Sequence, residues 1–287
     1  MTAGNRRRRV GYVKVAKKKF DYYFLRLILR ATVFVVIVSF TLYEIITKDE
    51  IFGIRRIIDS NVFKDGISSD GFWKGFSPLH IVWSFMMLYM LSHLINFKFV
   101  SKGSTKKFAS RFVDSTKNNP EVIRLTKKFY QKGAIKTAAV YGALNLIIFV
   151  LYMIDTYSEH KIFGGHGGQI IIIIQMFFYL SDFICIIFFC PFQKWFMHNK
   201  CCKTCRIYDW GAIMMQAPMF YIPNFYAISL AALSLVVFIR WEATYYKHPE
   251  RFIEYTNCSL SCKNCDEDWC RLKGKVINQE RKDSHIL

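Results

Sequence analysis

The 287-residue chain contains no Walker loop, no GxGxxG, no GxSxG and no HExxH. The first two absences remove the glycine-rich phosphate cradles of nucleotide enzymes. The others remove the serine elbow of α/β hydrolases and the helical zinc pair of metalloproteases. The one glycine-rich stretch, GGHGG at 164–168, lacks the preceding strand a phosphate loop needs and reads as a flexible turn. No internal repeat is visible among the apolar segments. Acidic residues are few, 21 Asp+Glu against 40 Lys+Arg, for a formal net charge of +19. The basic stretch from Arg6 to Lys19 is followed by an apolar segment of full spanning length with no A-x-A-like cleavage site. It therefore reads as an uncleaved first helix with a basic arm rather than a signal peptide.

What the chain does contain is segregated. It is 53% hydrophobic and 17% aromatic, with apolar and charged residues in separate long blocks. That is the pattern of an all-α polytopic membrane protein, because about 20 apolar residues cross the hydrocarbon core as a helix. Four blocks suffice: 27–46, 78–97, 134–154 and 168–189. A fifth, 212–241, is broken near 218–223 by Pro218 and Pro223. A basic arm (1–26) precedes this bundle (27–241) and a polar, Cys-rich tail (242–287) follows it. Arg30 and Glu44 lie near the two ends of the first block, where both are expected to snorkel to an interface.

Loop 98–136 carries eleven basic and two acidic residues and 191–210 is basic, whereas 48–77 holds five of each sign. The positive-inside rule then places the amino terminus, loop 98–136 and the CCKTC stretch in the cytoplasm. Such a face is expected to meet the anionic lipid of the bilayer, not nucleic acid. Gly211–Trp241 would measure about 46 Å as one straight helix, beyond a single crossing. In one arrangement 212–222 lies at the interface and 225–239 crosses, leaving the tail outside. In the other, 212–222 dips in and 225–241 returns, leaving the tail cytoplasmic. The second is the expected one, since it gathers the cysteines on one face.

Those cysteines form two groups: Cys258, Cys262, Cys265 and Cys270 within thirteen residues, and Cys201, Cys202 and Cys205. Four soft thiolates suit tetrahedral zinc or an iron–sulfur cluster, although the spacing matches neither paired CxxC knuckles nor the ferredoxin run. An external tail would instead form disulfides, and Asn257 would then open a glycosylation acceptor. The loop group also suits palmitoylation. Within the fourth span, Gln175, Tyr179, Asp182 and Cys185 recur at intervals of four and three, which puts them on one helix face. Asn145 and His93 are the expected partners of Asp182. His80 and His93, thirteen residues apart, are turned about 220° from one another, so haem ligation is not expected.

The leading expectation is an integral membrane protein with a cytoplasmic-face cysteine metal site, an iron–sulfur electron-transfer component with a soluble partner docking on the basic face. The alternative is a transporter or channel-like protein that uses the polar face around Asp182, its cysteines serving only structural zinc or disulfides. A third reading is an assembly protein with lipidated cysteines.

Overall fold

The computed structural model describes residues 3–60, 77–95, 104, 106–115, 119–159, 161–199, 201 and 204–261, with side chains from Phe24 onward. Among them the chain is all-α, with one isolated bridge between Asp114 and Asn257. Four helical segments are long and apolar enough to cross a membrane: Phe24–Thr47, Pro120–Tyr157, Gly167–Ile187 and Phe225–Lys247. A shorter apolar helix covers Pro78–Leu94. The expected multi-pass helical class is therefore the observed one.

Helix α1 (Ala3–Thr47) runs from the basic arm straight into the first apolar block, which no proline interrupts. Its last turn holds Glu44, and here the structure departs from the expected snorkelling. The side chain is 1% exposed and folds back over the chain. It accepts from Phe52 N at 2.9 Å, Ile54 N at 3.2 Å and Arg55 N at 2.9 Å. These amides are the unsatisfied donors at the start of α2 (Ile54–Asp59), where a carboxylate also complements the helix dipole. The cap presses Ile54, Ile57 and Ile58 into the bundle.

Helix α3 (Pro78–Leu94) opens with proline in its first turn and a reciprocal cap, in which Ser77 Oγ accepts from Leu79 N and His80 Nδ1 from Ser77 N. His80 Nε2 pairs with the Tyr226 hydroxyl at 2.9 Å, and Trp83 Nε1 donates to Ser229 Oγ at 2.8 Å. His80 is thus a structural link from α3 to the last helix. Helix α4 (Pro120–Tyr157) starts well before the expected 134, because Asn119 caps Glu121 N and Pro120 fits the first turn.

At the far end of α4, Asp155 repeats the device of Glu44. It is 1% exposed and accepts from Phe163 N, Gly165 N and Gly167 N. The glycines there are needed for φ of +64° at Gly164 and +82° at Gly165. The turn expected to be flexible is thereby fixed by three hydrogen bonds. It delivers the chain into α5 (Gly167–Ile187), the central helix, packed on α1, α2 and α4.

The fifth block begins earlier than expected and is a hairpin. A 3-10 turn (Arg206–Trp210), helix α6 (Gly211–Gln216) and a second 3-10 turn (Ala217–Tyr221) form one leg. The chain breaks at Ile222–Asn224 and returns as α7 (Phe225–Lys247), with Asn224 Oδ1 capping Ala227 N. With 3-10 residues rising about 2.0 Å and α residues 1.5 Å, the 16-residue first leg extends about 29 Å, close to the hydrocarbon thickness. Its ends bear this out: Asn224 Nδ2 reaches Ile57 O at 3.0 Å, while Arg206 meets Glu242 of α7 at the opposite end. Residues 256–258 then bond residues 113–115, with Cys258 N to Val113 O at 2.9 Å and Ser115 N to Thr256 O at 3.0 Å. The first residues of the tail therefore lie beside the basic loop, at the end of the bundle that holds Arg206.

Side chains such as Leu29, Phe85 and Leu146 stay more than 60% exposed, as lipid-facing residues do. Lipid removes the hydrophobic drive between helices, so packing and hydrogen bonds must hold them together. The centre accordingly contains buried amides: Gln175 Nε2 donates to Gln216 Oε1 at 3.2 Å, and both amide groups reach the Met86 sulfur.

Candidate functional site

Arg30 is about one turn into the apolar block of α1 that begins at 27, and Asp182 is in the last turns of α5, which sets the two at matching depth. Arg30 Nη1 lies 3.3 Å from Asp182 Oδ2 and donates to Tyr179 O at 3.0 Å. The side chains are only 12% and 19% exposed. Three rings surround the guanidinium, with centroids 4.5 Å (Tyr179), 4.8 Å (Phe183) and 5.5 Å (Tyr89) from its carbon. Arg30 is therefore not snorkelled but is the partner of Asp182, in place of the expected Asn145 and His93. Asn145 instead bonds within its own helix to Tyr141 O, and its carbonyl accepts from the Tyr221 hydroxyl at 2.9 Å. Gly211 abuts the pair: a β-carbon there would come within 2.9 Å of Asp182 Oδ1.

Beside this pair opens a cavity of about 490 Å³. Its walls come from α1, α3, α4, α5, the turn after α5 and the first leg of the hairpin. Arg30, His93 and Asp182 present polar groups to it; Tyr141, Phe177, Phe178, Phe192 and Met214 form apolar walls. His93 is 8% exposed, packed edge-on against Tyr89 at 4.8 Å, and its Nε2 has no hydrogen-bond partner among the described residues. A buried polar nitrogen left unpaired costs about 1–3 kcal/mol.

Two further ion pairs lie at this end of the bundle, and Asp209 of the first lines the cavity. Lys107, of the basic loop, reaches Asp209 at 2.5 Å with 1% and 0% of their side chains exposed. Ser104 Oγ donates to the second oxygen of Asp209 at 2.9 Å, and the rings of Tyr208 and Phe252 flank the ammonium. Arg206 donates to Glu242 at 2.6 and 2.5 Å while stacking 3.6 Å from the Tyr245 ring centroid. Trp210 Nε1 donates to the same carboxylate. None of these four charged residues was singled out from sequence. The Lys107 and Arg206 signals are diluted among many basic neighbours, and only depth matching of opposite charges points to Arg30.

Of the polar face expected on α5, Gln175 belongs to the central amide cluster. Tyr179, Asp182 and Cys185 belong to the cavity end. Of the seven candidate metal ligands, Cys202, Cys262, Cys265 and Cys270 lie outside the described residues. Among the described residues no three His, Cys, Asp or Glu side chains are grouped to hold a metal ion. Cys205 packs with Ala134, Met197 and Ile207, and burial pushes its thiol up to about 12. Cys258 Sγ lies 3.9 Å from Asp114 O. Cys190 has the opposite character. The hydrogen bond from the Cys185 thiol, against burial, brings it down to about 7, assisted by backbone amides of Gln193 and Phe192.

These features define the class: a multi-pass α-helical membrane protein with a polar-ended cavity beside a buried Arg–Asp pair. No family model matches the chain, and no curated protein or solved structure matches it.

Proposed function

We propose that the chain is a membrane-embedded binding protein, holding a small, largely apolar molecule in the cavity beside Arg30 and Asp182. The carrying observation is His93, which lines the cavity and whose buried Nε2 has no hydrogen-bond partner among the described residues. A ligand oxygen placed there would supply the missing hydrogen bond, and the aromatic walls suit a flat or apolar body. Small-molecule sites of this kind combine apolar lining with a few convergent polar groups. A broken helix on one wall, the Arg206–Tyr221 leg, is a recurring feature of transport sites too.

Native mass spectrometry of the full chain released from detergent micelles tests this reading. The parent protein should retain a small non-lipid molecule. Leu144→Trp, which adds bulk to the cavity wall, should lose it. His93→Leu should also lose it while melting at an equal or higher temperature, because the orphan nitrogen is gone. A parent that carries nothing, or variants that carry the same molecule, would overturn the reading.

The basic composition of residues 106–115 and 191–210 supports a cytoplasmic position for the cavity end and for the tail. In a variant whose only cysteine is Cys258, a membrane-impermeant maleimide should label inverted vesicles and spare intact cells. The reverse pattern rejects this orientation.

A second reading, the cysteine metal site, draws support from Cys201, Cys205 and Cys258 standing at one end of the bundle. Iron and sulfide analysis of anaerobically purified protein tests it. Equimolar iron and labile sulfide favour a cluster, stoichiometric zinc a structural site, and neither metal rejects both.

A further inference from the structure

Two nucleophilic side chains on the cavity wall are left unused by ligand binding alone. Cys185 is in the last turn of α5 and Cys190 stands three residues past its end, before Pro191. Had the helix continued, five residues would turn the two side chains about 140° apart. The helix stops at Ile187, however, and the chain swings Cys190 back, so that the Cys185 thiol donates to the Cys190 sulfur. Gln193 N donates to the same sulfur from 3.5 Å. Both thiols line the cavity and both are half-buried, whereas Cys205, which also borders it, is buried in a core cluster.

We infer that Cys185 and Cys190 are a redox-active dithiol that reduces a lipophilic quinone held in the cavity. This rests on the ligand-site reading above and names its substrate class. Sulfur atoms within hydrogen-bonding distance need close by less than about 2 Å to reach the 2.05 Å of a disulfide. Residues 189–190 form a two-residue break between α5 and the helical turn at 191–197, where Lys194 N bonds the Cys190 carbonyl, so the approach falls to rotation of the two thiol side chains.

The oxidant follows from the walls. A bilayer-embedded cavity admits lipophilic molecules before hydrophilic disulfides. Tyr141 lies 5.8 Å from Phe178 and 6.3 Å from Phe192, ring to ring, and a flat quinone ring fits beside such a set. A quinone also brings a carbonyl oxygen, the acceptor that His93 Nε2 lacks among the described residues.

The step balances as follows. The Cys190 thiolate adds to the quinone ring, forming a carbon–sulfur bond. The Cys185 thiolate attacks the Cys190 sulfur, forming the S–S bond and breaking the carbon–sulfur bond, whose electron pair stays on the ring. The two thiol protons end on the two quinone oxygens. One dithiol is oxidised and one quinone is reduced to quinol. The thiolate is the attacking species, and Cys190, held near 7, ionises at neutral pH.

Decylubiquinone, whose fully substituted ring resists permanent arylation, is the probe. Reduced full-length protein in detergent micelles is mixed with it without oxygen, and both the loss of quinone absorbance and the cysteine peptides are measured. One quinol per chain and a Cys185–Cys190 disulfide are expected, with Cys185→Ser and Cys190→Ser each slowing reduction at least tenfold. Equilibrium dialysis of the probe with the Cys185→Ser/Cys190→Ser double variant separates the two claims. Binding without thiol oxidation in the parent overturns the dithiol and leaves the ligand site standing. Absent binding overturns both. Oxidation of other cysteines while Cys185 and Cys190 stay reduced also overturns the dithiol.

Discussion

Replacing Gly211 with alanine should destabilise the protein, and should stabilise it once the neighbouring ion pair is removed. Gly211 has φ −49° and ψ −40°, ordinary right-handed helix that any L-residue adopts. In an otherwise helical stretch, alanine is favoured over glycine by about 0.5–1 kcal/mol. The added β-carbon, though, would stand 2.9 Å from Asp182 Oδ1, and among the described residues Asp182 supplies the only atoms within 4 Å. The carboxylate must swing aside, and its geometry with Arg30 is lost with it. Breaking a buried pair outright costs about 3–5 kcal/mol; a displaced carboxylate retains part of that. The net expectation is a loss of about 1–3 kcal/mol. In an Arg30→Met/Asp182→Ala background, which removes both charges together, the obstacle is gone and the same substitution should add about 0.5–1 kcal/mol. Unfolding titrations with sodium dodecyl sulfate in mixed micelles, followed by circular dichroism, give the four corners of the cycle. Equal effects of Gly211→Ala in the two backgrounds would refute the reasoning.

Two other outcomes are expected. Glu44→Gln should lower stability by about 1–3 kcal/mol in the same titration, because the amide turns an N–H towards backbone N–H groups that now share a carboxylate; an unchanged midpoint would contradict the capping role. The rate of iodoacetamide alkylation of Cys190 should rise with pH through about 7 and level off above it, since only the thiolate reacts, and Cys185→Ala should move the profile to higher pH; a profile unmoved by that substitution would show that Cys185 does not set it.

Much of the architecture was legible because it depends on local composition. The apolar blocks gave most helix ends within a few residues, the start of α4 excepted, and Pro223-Asn224 marked the reversal, since proline and a capping asparagine act on their own neighbours. The start of the hairpin was not legible: RIYDW at 206–210 reads as a polar loop, and its helical course depends on Arg206 and Trp210 finding Glu242 thirty-odd residues on. The polar stripe on α5 was visible from its period, yet its partners were not. Period assigns a face to a helix, whereas the pairing of Asp182 with Arg30 depends on the relative depth of two helices. Glu44 and Asp155 show the same boundary. Each is near the end of a span, where a snorkelled carboxylate is the ordinary case, and only the returning backbone, eight to twelve residues later, makes it a buried cap. The Cys185–Cys190 contact arises from the helix ending between them.

The leg from Arg206 to Tyr221 reaches its length by being drawn out. Ten of its residues are in 3-10 geometry, and each would shorten by about 0.5 Å on relaxing to an α-helix. Conversion of both turns would contract the leg by about 5 Å, nearly a full helical pitch, with its Asn224 end tethered to Ile57. The stroke would therefore be delivered at the other end, where Asp209 holds the basic loop through Lys107 and where Met214 and Met215 wall the cavity. The segment is built like an extended spring whose fixed end and working end are set by two hydrogen-bonded anchors.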